Sequence, residues 1–232
     1  MGKTRGQIKA DIQDNLIDFS LNYYSDDDLN VSVQDAYTDV SIRTQCIQNK
    51  VTLNWLSNLS YYNFIKLGVS DYLGCIAIFN NITNLWLRDD LSLKDFDRIR
   101  RDWENWTGTP QFWAPSDYQS IAVAAKYIGT FVSGAFDPKS FGNGFNTGSI
   151  PSLGTFILYY WALAPTLAND LSTFLIASDM QDLITNYTTA DLLEQAQEFG
   201  KANEYWELYE EHIQSYADRV KRNTKSDLLL RI

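Results

Sequence analysis

His212 is the single histidine of the chain, set in Glu-Glu-His-Ile-Gln. One imidazole excludes a metal site built from two histidines of the same chain and leaves one weak base for proton transfer. A Ser-His-Asp triad would have to use it, and no Gly-x-Ser-x-Gly elbow presents a serine. Lying between Tyr209 and Ile213 near the end of a helical pattern, it reads as a residue at the edge of a bundle. Cys46 and Cys75, the two cysteines, form neither a CxxC pair nor a zinc spacing, and are expected to stay reduced in the core.

Three further patterns imitate chemistry without completing it. Gly2-Lys3-Thr4 ends like a phosphate-binding loop but has no upstream glycine or strand. Gly142, Gly144 and Gly148 miss the dinucleotide-binding spacing by one residue. Asp26, Asp28 and Asn30 match the first calcium ligands of an EF-hand loop, yet the sixth position is Val31 and the twelfth Tyr37, where glycine and glutamate are required. Two carboxylates suffice for glycoside hydrolysis, and Glu104, between Trp103 and Trp106, is the acid to watch, because tryptophans stack on sugars and desolvate a neighbouring carboxyl. Both tryptophans also fit the buried stripe of a helix, and packing is the stronger reading. No catalytic residue, metal ligand or cofactor site emerges, so the chain is read as a non-enzyme.

Nineteen basic residues against twenty-nine acidic ones give a net charge of -10, opposite to what a grip on a phosphate backbone needs. An acidic wall repels duplex DNA and lets it slide. No window approaches the ~18 uninterrupted apolar residues of a membrane span, and the N-terminus has no apolar leader, so a soluble chain made in a cytoplasm is expected. At 232 residues and 45% apolar the sequence fits one globular domain, with room for a minor subdomain and a sizeable core.

Four helix starts place an acid or glutamine three residues after a serine or threonine: Ser25 with Asp28, Ser92 with Asp95, Ser178 with Gln181, and Thr188 with Asp191. The spacing predicts helices over about 7–22, with Ile8, Ile12, Leu16 and Phe19 inward, and over 26–46, with Leu29, Val33, Ala36, Tyr37 and Val40 inward. A third runs over 92–106 through Phe96, Ile99, Trp103 and Trp106. The last covers 178–222, where a restart at Thr188 begins a seam of Leu192, Ala196, Phe199, Ala202, Trp206, Tyr209, Ile213, Tyr216 and Val220, with glutamates facing away. Between the helices the period changes to two, in Val51, Leu53 and Trp55, in Ile121, Val123, Ala125, Tyr127 and Phe131, and in Phe156, Leu158 and Tyr160. Shorter candidates at 73–79 and 85–87 complete β-rich parts at about 50–88 and 111–162. The expected fold is α+β: a helical bundle with an inserted antiparallel β-sheet and an extended C-terminal tail, the domain occupying 1–222 and the tail 223–232.

Five glycines and two prolines lie between Gly134 and Gly154, in a connection longer than hairpins need. Phe136, Phe141 and Phe145 make it a candidate contact loop, because exposed aromatics usually meet a partner surface. After Val220 the pattern frays into Leu228, Leu229, Leu230, Arg231 and Ile232. Ten residues from Asn223 span ~33 Å when extended, enough to dock on another subunit or another protein. Docking back on the chain's own core is the alternative.

Three segments, Trp106-Thr-Gly-Thr-Pro-Gln-Phe-Trp113, Gly134-Ala-Phe-Asp-Pro138 and Leu158-Tyr-Tyr-Trp-Ala-Leu-Ala-Pro-Thr-Leu-Ala168, occur in an order that resembles the head-to-tail adaptor proteins of tailed bacteriophages. In that family a Gly-x-Pro turn follows a Trp-bearing helix, a strand ending in paired tyrosines runs into Pro-x-Leu, and a Ser/Thr-acidic loop precedes paired C-terminal helices. The matching positions are Gly108 and Pro110, Tyr159 and Tyr160, Pro165 and Leu167, and Asp170 to Asp179; Ser25-Asp-Asp-Asp-Leu29 and Asp35-Ala-Tyr37 match the N-terminal half. The resemblance implies a virion protein of the head-tail junction, a ring of about twelve copies between the portal protein and a tail or nozzle protein, with DNA passing through unbound. About twelve copies at -10 each give the ring a formal charge of about -120. It further implies that Leu228, Leu229, Leu230, Arg231 and Ile232 anchor the chain on the portal. A tail-accessory protein with peptidoglycan hydrolase activity and a cytosolic helical interaction module are the alternatives.

Overall fold

The computed structural model describes residues 2–16, 24–56, 59–117, 119–124 and 154–229, with side chains up to 220 and at Arg222. The chain divides into two compact units, Met1–Gln48 with Trp161–Ile232, and Asn49–Tyr160. One is helical and built from both ends of the chain; the other is the β-rich stretch between them. The α+β class and the insertion of β-structure into a helical bundle are as the periodicity predicts.

In the helical unit, α1 (Arg5–Leu16) buries Ile8 and Ile12. Helix α2 (Asp26–Thr44) opens with the expected cap: the Ser25 hydroxyl accepts from the Asp28 backbone N–H, while the Asp28 carboxylate accepts from that of Ser25. Three aspartates fill its first turn, where the helix dipole favours negative charge. The stripe Leu29, Val33, Ala36, Tyr37 and Val40 is fully buried, as its spacing requires.

The C-terminal helices depart from the expected pattern. Ser178 opens only a 3₁₀ turn (Ser178–Met180) and caps nothing, and α4 (Gln181–Gln195) follows. The Gln181 side-chain oxygen instead accepts from the Lys3 backbone N–H at 2.7 Å. No restart occurs at Thr188: both Thr188 and Thr189 are fully buried in the middle of α4. Asp191, expected to complete that cap, accepts from the Ser32 hydroxyl of α2 at 2.6 Å. The real break is at 196–198, where Gln197 has a left-handed φ of 62°. Gln197 N–H donates to Glu194 O and Glu198 N–H to Leu193 O, the paired bonds that close a helix end around a left-handed residue. Helix α5 (Phe199–Leu229) then buries Ala202, Tyr209, Ile213 and Ala217, so the seam is cut between Ala196 and Phe199. Its backbone stays helical to Leu229, where sequence periodicity placed the end near Val220.

Helices α1, α2 and α5 all pack on α4. The segment 163–177 is fastened beside them. Thr4 and Thr173 bridge, Arg5 N–H donates to Ser172 O, and Gln34 takes the Leu167 N–H on its side-chain oxygen at 2.9 Å. Lys9, only 5% exposed, donates to the carboxylate of Asp26, to the Asn30 side-chain oxygen at 3.1 Å and to Asp170 at 3.4 Å.

The inserted unit holds two sheets where the sequence pointed to one. A four-stranded sheet has the order β1-β7-β3-β4, from strands Gln48–Asn54 (β1), Tyr72–Asn80 (β3), Leu85–Trp86 (β4) and Thr155–Ala162 (β7). A three-stranded one has the order β2-β6-β5, from Tyr61–Asn63 (β2), Phe112–Asp117 (β5) and Ser120–Ala124 (β6). Ala162 N–H donates to Ile47 O and Trp55 N–H to Gly154 O, bonds that run β1 and β7 antiparallel. Strand β7 alternates as predicted, burying Phe156, Leu158, Tyr160 and Ala162. Strand β6 is buried on both faces, so its alternation of large and small residues does not separate core from solvent. Trp55, Tyr62 and Phe156 form an aromatic core, with ring centroids 4.2 to 5.8 Å apart. Between β4 and β5 lies α3 (Leu93–Ile99), capped by Ser92 and Asp95 as predicted, and then a 3₁₀ turn (Trp103–Asn105). The helix expected over 92–106 is thus broken after Ile99.

Candidate functional site

The residues singled out for contact fall largely outside the described part of the chain. Phe136, Phe141 and Phe145 lie outside it, as do Leu230, Arg231 and Ile232. Leu228 and Leu229 are described only as backbone of the last turn of α5. His212 is exposed on α5. Among the described residues no group of three or more His, Cys, Asp or Glu could hold a metal ion, and no helix is long and apolar enough to cross a membrane. Both cysteines are free thiols, pushed up in pKa by burial.

Glu104 is occupied structurally. Its backbone carbonyl accepts from the Ser60 hydroxyl at 3.1 Å, and its carboxylate accepts from the Tyr61 phenol at 2.7 Å. Burial, reinforced by that carboxylate, pushes the Tyr61 phenol up to about 12. Trp103 is 4% exposed and its indole N–H donates to Asp97 at 3.0 Å. Trp103 therefore packs in the core, as the stronger reading has it.

Around this tryptophan the inserted unit forms a cleft. Phe96 and Trp103 pack with Ala114, Ala122 and Ala124 of β5 and β6, and Leu91, Leu93, Trp106 and Phe112 pack partly exposed against them. Leu91, Phe96, Ile99, Trp103, Trp106, Phe112 and Ala124 line the cleft together with Arg100, so its walls are mainly apolar. Ile99, expected inward on the helix stripe, is 62% exposed at its lip, because α3 ends there and the chain turns away. The rim is basic. The Arg100 guanidinium lies 5.6 Å above the Trp106 ring, and that of Arg88 5.2 Å above Phe112. Arg88, Arg98 and Arg100 have aspartate partners two or three residues away, but these pairs are exposed and contribute little. Lys94 and Arg101 are exposed and have no ion pair among the described residues.

The chain matches no known family model and no curated protein.

A second surface belongs to the helical unit. The outward side of α5 carries Glu204, Glu207 and Glu211 around Leu208, which is 43% exposed. These three glutamates have no ion pair among the described residues, whereas Glu210 is held by both terminal nitrogens of Arg43 at 2.7 and 2.6 Å and Glu198 by Lys201 at 2.7 Å. The Arg43 pair holds the Glu210 carboxyl below its ordinary pKa. Beneath this face Tyr209 donates to Asp39; burial and that carboxylate hold its phenol well above the usual range. The acidic face was legible from the glutamate spacing. The cleft was not, because its walls come together from α3, the Trp103 turn, β5 and β6.

Proposed function

We propose that this protein is a structural adaptor of a phage head-tail junction, assembling as a ring on the portal through which DNA passes. One observation carries the reading: the motif residues of the resemblance occupy the joints of the fold. Gly108 and Pro110 link the Trp103 turn to β5. Tyr159 and Tyr160 end the inserted unit on β7, with Tyr160 donating to Asp71 at 2.9 Å. Pro165 and Leu167 start the strapped segment that leads to α4, both hydrogen-bonded to Gln34. A chain of net charge -10, repeated around a channel, repels duplex DNA and binds it at no fixed point.

Sedimentation of the full chain with assembled portal rings from the same genome tests the proposal. Saturable co-migration near one chain per portal subunit is expected, and no co-migration at micromolar concentration overturns it. Truncation after Arg222 is expected to keep cooperative unfolding and to lose co-migration, because Ala217 is the last buried position of α5 among the described side chains while the proposed apolar anchor lies beyond.

A further inference from the structure

We propose that α1 is a latch: it opens from the helical unit while α2, α4 and α5 stay packed, and its opening uncovers a line of threonines on α4. Thr188 and Thr189 are fully buried and Thr185 is 7% exposed, yet their hydroxyls have no hydrogen-bond partner among the described residues. Thr38 and Thr44 of α2 show the usual solution, donating to the carbonyls of Gln34 and Val40 at 2.9 and 2.7 Å. On α4 that bond is missing, so each hydroxyl has left water with no bond to replace the one it made there. The Gln181 side-chain nitrogen is buried without a partner among the described residues as well. Gln181, Thr185 and Thr188 follow one another at spacings of four and three, one line along the helix, with Thr189 beside it. That line starts at the N-terminal residues. Lys3 N–H donates to Gln181, a Cβ on Gly2 would stand 2.6 Å from the Gln181 side-chain nitrogen, and α1 packs on α4.

Helix α1 brings little apolar surface to this contact, since its buried side chains are Ile8, Lys9 and Ile12. Its hold is mainly polar. Lys9 is shared by Asp26, Asn30 and Asp170, and Arg5 donates to Asp170 at 2.9 Å and to the Leu167 carbonyl at 3.1 Å. Asp26 and Asp170 are about half exposed, so when α1 leaves, the ammonium, the carboxylates and the threonine hydroxyls all return to water. Helices α2 and α5 pack on α4 and on each other without it. The latch rests on the helical unit alone and holds whatever partner the chain has.

Hydrogen exchange of the full chain at neutral pH, followed residue by residue, tests the latch. The amides of Ile8 to Leu16 are expected to share one opening and, corrected for their intrinsic rates, to exchange about a hundredfold faster than those of Tyr209 to Ala217 in α5. Thr185→Val with Thr188→Val keeps the shape of both side chains and removes the two hydroxyls, and is expected to slow exchange in α1 about fivefold. Exchange in α1 as slow as in α5 overturns the proposal. So does protection that decays residue by residue toward Arg5, as in a frayed end, and so does exchange that the valine pair leaves unchanged or quickens. Should the valine pair fail to fold, Asp170→Asn decides: by weakening the hold on Lys9 and Arg5 it is expected to speed exchange in α1 about fivefold, and no change overturns the latch. None of these readouts involves the portal, so failure of the latch and failure of the adaptor reading are separate results.

Discussion

Lys9 shows how a single buried charge ties distant parts of a chain. Its side chain is 7% exposed, and its ammonium is shared by Asp26 at the start of α2, Asn30 one turn later and Asp170 in the 163–177 segment. Its carboxylate partners are about half exposed, so losing the lysine lets them return to water, whereas losing an acid leaves the ammonium buried. Asp26→Ala is therefore expected to destabilise by ~1–2 kcal/mol in urea unfolding, more than Lys9→Met, which keeps the apolar stem and removes the charge. Hydrogen bonding to Lys9 lowers the Asp26 pKa, and a lowered carboxyl stabilises the fold above its unfolded value near pH 4 and ceases to do so as pH falls through the folded one. Asp28, Asp95 and Glu210 are lowered as well, through Ser25, Ser92 and Arg43. Thermal midpoints should be insensitive to these groups between about pH 5 and 8 and fall below about pH 4, less steeply in Asp26→Ala. Nothing in the sequence singles out Lys9. It stands between two inward isoleucines as an ordinary polar position, and its partner Asp170 is 161 residues away.

Among the elements, two of the four serine or threonine starts became caps and two did not. Ser25 and Ser92 keep their aspartates in the local cap, even though Asp95 also accepts from Arg98. Gln181 and Asp191 were drawn off by long-range partners, Lys3 and Ser32, and a local motif loses when tertiary structure offers its side chain a better bond. The break at 196–198 was hidden for a related reason: glycine usually marks such a helix end, and here a glutamine takes the left-handed position. Gln197→Gly relieves that backbone strain at some cost in unfolded-state entropy, and is expected to raise stability by ~0.5–1 kcal/mol in urea unfolding without changing the helical signal. The alternation of β7 was legible because one of its faces is buried. That of β6 was not, because both are.

At the scale of the molecule, the insertion of β-structure was legible from the change of period between the N-terminal and C-terminal helices, but its division into two sheets was not. Strand order depends on pairings such as β1 with β7, which join residues about a hundred positions apart. The register fixed by the bonds from Ala162 to Ile47 and from Trp55 to Gly154 sets Asn49 opposite Tyr160, the two ends of the inserted unit. Replacing 49–160 by a short Asn-Gly hairpin turn should therefore leave a helical unit that unfolds cooperatively, with its helical circular dichroism retained. A non-cooperative melt would show that the helices need the insert. On this scale the acidic balance and the order of motifs pointed to a function, whereas the apolar cleft became visible only once α3, the Trp103 turn and β5 were assembled around it.

Both crossings into the insert lie on neighbouring strands, and the helices that complete the first unit come after it. During synthesis α1 and α2 therefore emerge from the ribosome long before α4, the helix both of them pack against. At ~5–20 residues per second the stretch 49–160 takes on the order of ten seconds to translate, during which the inner stripe of α2 has no partner while the insert already possesses all of its strands. The β-rich unit is thus the part of the nascent chain that can finish first, and the apolar faces of the leading helices are what a cellular holdase would meet in the interval.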